Sequence, residues 1–381
     1  MKPVFQLIGK CDDSNPSSIP LEKIKEWERE GIVSYLGETQ DIRPIIAQSS
    51  CIILPSYREG IPRVLLEAMS MGKPIITTNV SGCRECIKNP CKIDNLLVGE
   101  NGIMAEAKDS HSLSQAISYF LSLSADKREQ MGIRGREYVK ERFDIQKAIQ
   151  TYKQKAQAYA KGGKILTFIS NTSFGMSNFR LEVLQSLYQE GYTIHIIAPQ
   201  DSSTQILIDN GFVFHPIKVN SKGLNPIEDL ATLLSIYKII KTINPSLVFN
   251  YTIKPVIYGS LACNLLSIPN IAITTGLGYV FIGGGVKKKI LKNFVCTLYK
   301  IALYKTQEVW FLNNDDKDAF LSHHIVPQDK TMLLDSEGVD TSRFSPMDEN
   351  PKHPTFTLIA RMLWDKGVGE YIEAIKSLKT E

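Results

Sequence analysis

Tyr57-Arg58-Glu59-Gly60-Ile61-Pro62-Arg63-Val64-Leu65-Leu66-Glu67-Ala68 joins the end of a strand to the start of a helix. Ahead of it, Cys51-Ile52-Ile53-Leu54-Pro55 is an apolar run of the length of a buried parallel strand, which Gly60 and Pro62 then interrupt. Proline suits a first helical turn, so a helix is expected from near Pro62, and 64–71 is rich in strong helix formers. The N–H groups of that first turn attract an anionic ligand. Glu59 and Glu67 bracket the turn at a spacing that lets both reach hydroxyls of one bound molecule. The same two residues also read as a loop acid and an exposed helix acid, and this segment alone leaves the choice open.

Outward from this stretch, strand-like runs over 4–9, 33–37, 51–55, 74–78 and 102–105 alternate with helical ones, which means a parallel sheet covered on both faces. The helical pattern continues to about Ala160 and is interrupted by Lys161-Gly162-Gly163-Lys164. A second series then begins with a strand over 165–170, a glycine-containing turn over 171–178 and a helix over 179–190. Further strands are expected over 193–198, 212–217, 247–251, 271–275, 308–312 and 331–334, giving a second doubly wound domain.

A strand over 355–360 and a helix over 368–378 follow a loop and cannot bury their faces alone, so they must join a sheet elsewhere. The N-terminal series supplies that sheet. The chain is therefore expected to be circularly permuted, with Met1 and Glu381 close in space. On this reading 1–161 is the main part of a donor domain and 164–345 an acceptor domain. Residues 346–381 hold the donor domain's first strand and helix. Gly162-Gly163 then reads as an added, engineered flexible link, although glycines also end helices naturally.

At 381 residues the chain suits two domains, and 43% hydrophobic with 22% charged residues is a globular composition. A net charge of +4 is too small for bulk attraction to nucleic acid, and no nucleic-acid partner is expected. No signal peptide and no apolar run of bilayer-spanning length is present, which predicts a cytoplasmic protein. Seven cysteines in such a chain are expected to be reduced thiols. Cys83, Cys86 and Cys91 lack a fourth ligand for a tetrahedral site, so no metal is expected.

Rearranged in the permuted order, the sequence resembles the retaining, two-domain GT-B glycosyltransferases of the family 4 type. The marks are Ala360-Arg361-Met362-Leu363-Trp364-Asp365-Lys366-Gly367 and the Glu59 to Glu67 pair, with Pro55-Ser56-Tyr57 before it and Gly72-Lys73-Pro74 after it. The resemblance implies an α/β fold of two Rossmann-like doubly wound domains facing a cleft. It also implies a nucleotide-sugar donor without a metal or other cofactor. Arg361 and Lys366 would meet the donor diphosphate, Glu59 the donor sugar, Glu67 the ribose, and the N–H groups of Gly60 and Ile61 the phosphates or sugar. Asn313 is expected to touch donor or acceptor. Arg361 paired with a surface acid and Lys366 capping a helix are the structural alternatives.

In the second domain, Gly175 allows close backbone approach and Arg180 is placed to meet an acceptor phosphate. Asn171 to Arg180 lacks the G-x-G-x-x-G pattern, which argues against a dinucleotide enzyme. Asn250-Tyr251-Thr252-Ile253-Lys254-Pro255 and Thr275-Gly276-Leu277-Gly278-Tyr279-Val280-Phe281 resemble enzymes that extend sugars on undecaprenyl diphosphate. Lys254 is accordingly counted with the acceptor. Lys287, Lys288, Lys289 and Lys292 alternate with apolar residues at helical spacing, which suits a membrane face or a lipid diphosphate. A solvated basic helix is the alternative. The resulting expectation is a retaining hexosyltransferase, peripheral on the inner face of the plasma membrane. It moves GalNAc from UDP-GalNAc to an undecaprenyl-diphosphate-linked sugar, α-1,3 to diacetylbacillosamine. UDP-GlcNAc or another lipid-linked acceptor, and a silent nucleotide-binding scaffold, are the competing readings. No protein base is identified, because Asn250 to Thr252 stand where many relatives carry a histidine.

Overall fold

Strands whose every side chain is buried need helices on both faces, and the central strands of the chain's two sheets are of this kind. The computed structural model describes residues 2–12, 15–220, 225–277, 286–347 and 351–380. The Gly278 to Gly285 stretch, Met1 and Glu381 lie outside the described residues, and so does the expected proximity of the two ends. The strands are β1 (Val4–Ile8), β2 (Ser34–Tyr35), β3 (Cys51–Leu54), β4 (Ile75–Thr78), β5 (Cys91–Ile93), β6 (Leu96–Val98), β7 (Gly102–Ala105), β8 (Ile165–Ile169), β9 (Thr193–Ala198), β10 (Val213–Pro216), β11 (Leu247–Tyr251), β12 (Asn270–Thr274), β13 (Glu308–Phe311), β14 (Thr331–Leu333) and β15 (Thr355–Ile359). Two compact units result: residues up to Asp144 together with those from Gly338 onward, and Ile145–Glu337.

In the first unit the sheet order is β2-β1-β15-β3-β4-β7-β6-β5. The late strand β15 sits between β1, with Val4 to Ile8 opposite Thr355 to Ile359, and β3, with Phe356 opposite Cys51 and Leu358 opposite Ile53. All of β3 and β15 is buried, so neither could be left unpaired. Counted from β15, the parallel strands follow the order 3-2-1-4-5-6 of a dinucleotide-binding sheet, ending at β7, and the switch point falls between β15 and β3. Beyond β7, β6 and β5 add an antiparallel pair at the edge. Sequence reading misses them because each is three residues long. Cys83 and Cys86 are core residues, and burial, reinforced by the Glu59 charge, pushes the Cys83 thiol up to about 12.

The second unit is a wholly parallel sheet, β10-β9-β8-β11-β12-β13-β14, with its switch point between β8 and β11. The helix Ile145–Ala160 belongs to it, which corrects the domain boundary read at 161: Tyr152 is fully buried, with ring centroids 5.2 Å from Phe249 and 5.0 Å from Trp310. The later boundary lies at Glu337 rather than 345. Gly162-Gly163 is thus inside the second unit, where Lys161 (φ 48°) and Gly162 (φ 84°) turn left-handed and Gly163 N donates to Ala160 O at 2.8 Å. That is a helix end closed by glycine. The expected turn over 171–178 is mostly a short helix, Ser173–Phe179, because Thr172 Oγ1 caps it by accepting from Gly175 N.

On β9 and β10, His195 Nδ1 lies 2.9 Å from His215 Nε2, with the rings stacked. Burial holds both imidazoles below their ordinary value, and His215 adds to the effect on His195. The unfolded chain therefore takes up protons first as pH falls through about 6.5, and stability falls with it. Acidification from pH 7.5 to 5.5 is expected to lower the melting temperature, and His215→Phe to flatten that dependence; identical pH profiles would exclude the pair as its source.

Candidate functional site

At the switch point of the first unit, β3 runs into Pro55-Ser56-Tyr57 and β15 into Arg361, so both loops leave the carboxyl edge where open α/β sheets bind ligands. The helix Arg63–Ser70 starts here, with Pro62 at its N-cap and no side chain capping it. Gly60 and Ile61 form the turn just before, half-buried.

Lys366 Nζ lies 2.5 Å from Glu59 Oε1, and Ser56 Oγ donates to the same oxygen at 2.7 Å. Lys366 therefore does not simply cap a helix. Glu59 is fixed by its backbone as well, since its N–H donates to Ser81 O at 3.0 Å. Gly82 is required beside it: its φ is +81°, and a Cβ there would sit 2.4 Å from Gly60 O. An ammonium has three N–H donors, so the ion pair with Glu59 leaves Lys366 capacity for further oxygen acceptors.

Glu67 is buried rather than an exposed helix acid, with Arg63 Nε 3.0 Å from its Oε1. Burial raises its carboxyl above the ordinary range, against the opposing pull of Arg63. Arg361 is 60% exposed, with Nη1 3.9 Å from Asp12 Oδ2, a long ion pair that leaves the guanidinium at the surface of this edge. The segment is pinned by the loop after β1, where Met362 N donates to Lys10 O and Trp364 N to Ser17 O.

The residues expected to serve an acceptor lie in the second unit, and several are already engaged. Arg180 is buried, with Nη2 2.8 Å from Glu337 Oε1, Nη1 donating to Gly175 O at 2.9 Å, and the guanidinium 4.1 Å from the Tyr251 ring centroid. Burial works against its charge, but Glu337 and the two tyrosines outweigh that and push its pKa up. A guanidinium held this way is part of the core, which corrects the acceptor-phosphate expectation for Arg180; Gly175 supplies it with a carbonyl. Asn313 is likewise a buried helix cap, its Oδ1 accepting from Asp316 N at 2.8 Å, and not a ligand-facing side chain.

Lys254 is at the second switch point but paired with Asp229 Oδ1 at 2.7 Å. It lines a cavity of about 170 Å³ with Asn171, Thr252, Ile253, Thr275 and Gly276. Thr252, at φ 68° and ψ 169°, is in a conformation that a β-branched residue adopts only under strain. Lys289 is exposed on the helix Val286–Leu303; Lys287 and Lys288 belong to its first turn with side chains outside the described residues, and Lys292 is half-buried. No helix among the described residues is long and apolar enough to cross a membrane. Sequence reading quotes Ser56 and Tyr57 as motif marks without a role, and misses Glu370.

Two family models match the sequence. The model described as glycosyl transferases group 1 matches residues 3–122, and the model described as glycosyl transferase 4-like matches residues 141–313. Between them they match more than half of the chain. The chain belongs to the group 1, type-4-like glycosyltransferases. This glycosyltransferase chain is 26% identical over 226 residues to N,N'-diacetylbacillosaminyl-diphospho-undecaprenol alpha-1,3-N-acetylgalactosaminyltransferase of Campylobacter jejuni, a match covering 56% of this chain and 60% of that one. It is 24% identical over 172 residues to UDP-Gal:alpha-D-GlcNAc-diphosphoundecaprenol alpha-1,3-galactosyltransferase of Escherichia coli, covering 45% and 43%. The chain thus spans less than two thirds of the length of either relative. A solved glycosyltransferase from Rickettsia africae ESF-5 overlays 45% of this chain and 43% of its own, at 20% identity and a TM-score of 0.36.

Proposed function

We propose that the chain is a retaining glycosyltransferase that moves GalNAc from UDP-GalNAc to an undecaprenyl-diphosphate-linked sugar, α-1,3 to diacetylbacillosamine. The observation that carries this reading is the Lys366 to Glu59 pair at the switch point of the first unit, whose residues 3–122 match the group 1 model. The names of the Campylobacter and Escherichia relatives support a lipid-linked acceptor and an N-acetylhexosamine or hexose donor. The first unit is the donor unit. A diphosphate gains negative charge as the glycosidic bond breaks, so Lys366 and Arg361 stabilise the transition state more than the ground state. Glu59 takes donor-sugar hydroxyls, Glu67 the ribose, and Gly60 and Ile61 offer backbone N–H groups. The departing phosphate oxygen takes the acceptor proton, and no metal or other cofactor enters.

The second unit is the acceptor unit, with Lys254 and its cavity at the switch point. Lys287, Lys288, Lys289 and Lys292, in a helix without acidic residues, support peripheral contact with the inner membrane face, as do the exposed Ile227, Leu230 and Leu234 of the helix Pro226–Ile243. A circularly permuted order is supported by β15 counting first in its sheet and by the group 1 match preceding the 4-like match.

Labelled transfer from UDP-GalNAc, UDP-GlcNAc and UDP-Gal to polyprenyl-diphosphate-linked sugars in anionic vesicles tests the reading. Product is expected from UDP-GalNAc, falling as salt is raised. Product from UDP-GlcNAc alone reassigns the donor, and UDP binding without product from any donor makes the chain a binding scaffold.

A further inference from the structure

We propose that Tyr57 and Glu370 are positioning residues: together they hold Lys366 against Glu59 and so set where the ammonium meets a nucleotide diphosphate. The proposal rests on the reading of that edge as a diphosphate-sugar site. Two strips of chain, 55–59 and 365–370, come from opposite ends of the sequence and are fastened at three points around Lys366. Gly367, at φ +73°, packs so closely on Pro55 that a Cβ would lie 2.1 Å from the Pro55 carbonyl oxygen. Tyr57 N donates to Asp365 O at 3.0 Å. Tyr57 Oη donates to Glu370 Oε1 at 2.6 Å.

The first two contacts fix the backbone on either side of Lys366. The third sets the direction in which the following helix, Val368–Thr380, leaves it. Glu370 is the third residue of that helix, the position from which a carboxylate interacts with the open N–H groups of the first turn. Its Oε1 accepts the hydrogen bond from Tyr57 Oη, and its Oε2 is buried with no hydrogen-bond partner among the described residues. Burial and the neighbouring Glu370 carboxylate keep the Tyr57 phenol protonated, so it remains a donor. Lys108, from the loop after β7, holds the other side of the ring with Nζ 4.9 Å from its centroid. Tyr57 is therefore clamped between a cation and a carboxylate, one residue removed from Ser56, which shares the Glu59 oxygen with Lys366.

The pair acts on the site through the two strips that carry Lys366 and Ser56, so its loss is expected to weaken recognition of the diphosphate and leave recognition of the nucleoside unchanged. UDP and uridine affinities by calorimetry, with transfer turnover alongside, are the test. Tyr57→Phe and Glu370→Ala are each expected to lose about tenfold in UDP affinity, the scale of one hydrogen bond to a charged group, with uridine affinity unchanged and turnover reduced. The double variant is expected to lose no more than either single one. Glu370→Gln keeps an acceptor for Tyr57 and is expected to bind UDP as the wild type does.

Wild-type UDP affinity in Tyr57→Phe, an equal loss for UDP and uridine, or additive losses in the double variant would overturn the proposal. A wild type that prefers UDP to uridine but transfers nothing fails the transfer reading, while the affinities still judge the pair. A wild type that binds UDP no better than uridine overturns both.

Discussion

Lys366→Ala is expected to lower transfer turnover about a hundredfold or more, the scale of removing one group that stabilises charge developing in a transition state. The expectation follows from where the ammonium is held. Its side chain is 18% exposed and 2.5 Å from Glu59 Oε1, on a segment fixed by Gly367 against Pro55 and by Tyr57 against Asp365. It therefore meets a developing charge without first being ordered, and its stabilisation adds in the transition state with little reorganisation. Alanine also leaves the Glu59 carboxylate with Ser56 as its remaining side-chain donor at that oxygen, which places a negative charge with less compensation beside a negative leaving group. Both effects fall on turnover more than on nucleotide binding. Initial rates of labelled transfer at saturating UDP-sugar measure it, and a turnover within a few-fold of wild type removes Lys366 from the chemistry.

The Glu59 to Lys366 contact also shows which parts of the molecule could be read from sequence. The two residues are 307 positions apart. Their meeting becomes predictable only because β3 and β15 are short, continuous apolar runs, and a strand buried on both faces has to find neighbours. Strand existence and the joining of the late strand to the early sheet follow from burial, which sequence records well. Helix membership is recorded less well. The apolar face of Ile145–Ala160 says that the helix packs, but not on which sheet, so the boundary at 161 had no physical support beyond the glycines. Polar roles are harder again. Arg180, Asn313 and Lys254 all stand at helix starts near a carboxyl edge, where a side chain that caps or pairs within the protein has the same sequence signature as one that faces a ligand. Tyr57 and Glu370 were illegible for the converse reason, since nothing in either strip alone tells that it has the other as partner.

Arg180 and Glu337 carry the largest expected effect on stability. Their ion pair is buried, with the two side chains 6% and 12% exposed, and is part of a network in which Tyr251 Oη lies 2.8 Å from Tyr152 Oη and Tyr152 Oη donates to Glu337 Oε2 at 3.4 Å. Removing one partner leaves a charge in the core without its counter-ion, which costs about 3–5 kcal/mol. Arg180→Ala and Glu337→Ala are each expected to destabilise the second unit by that amount. Replacing both with well-packed apolar residues, Arg180→Met with Glu337→Leu, is expected to recover most of the loss, because the desolvation of two charges disappears together with their attraction. Denaturant unfolding read through Trp310, which is fully buried against Tyr152, measures this in a background where Trp27 and Trp364 are phenylalanine. If Arg180→Ala unfolds like the wild type but needs far more lipid-linked acceptor for the same rate, the guanidinium serves the acceptor after all and the core assignment fails. If instead stability falls and the apolar double variant restores both stability and transfer, the charge has no part in the reaction, and on the proposed lipid-diphosphate reading the acceptor contacts come from residues that the core does not already hold.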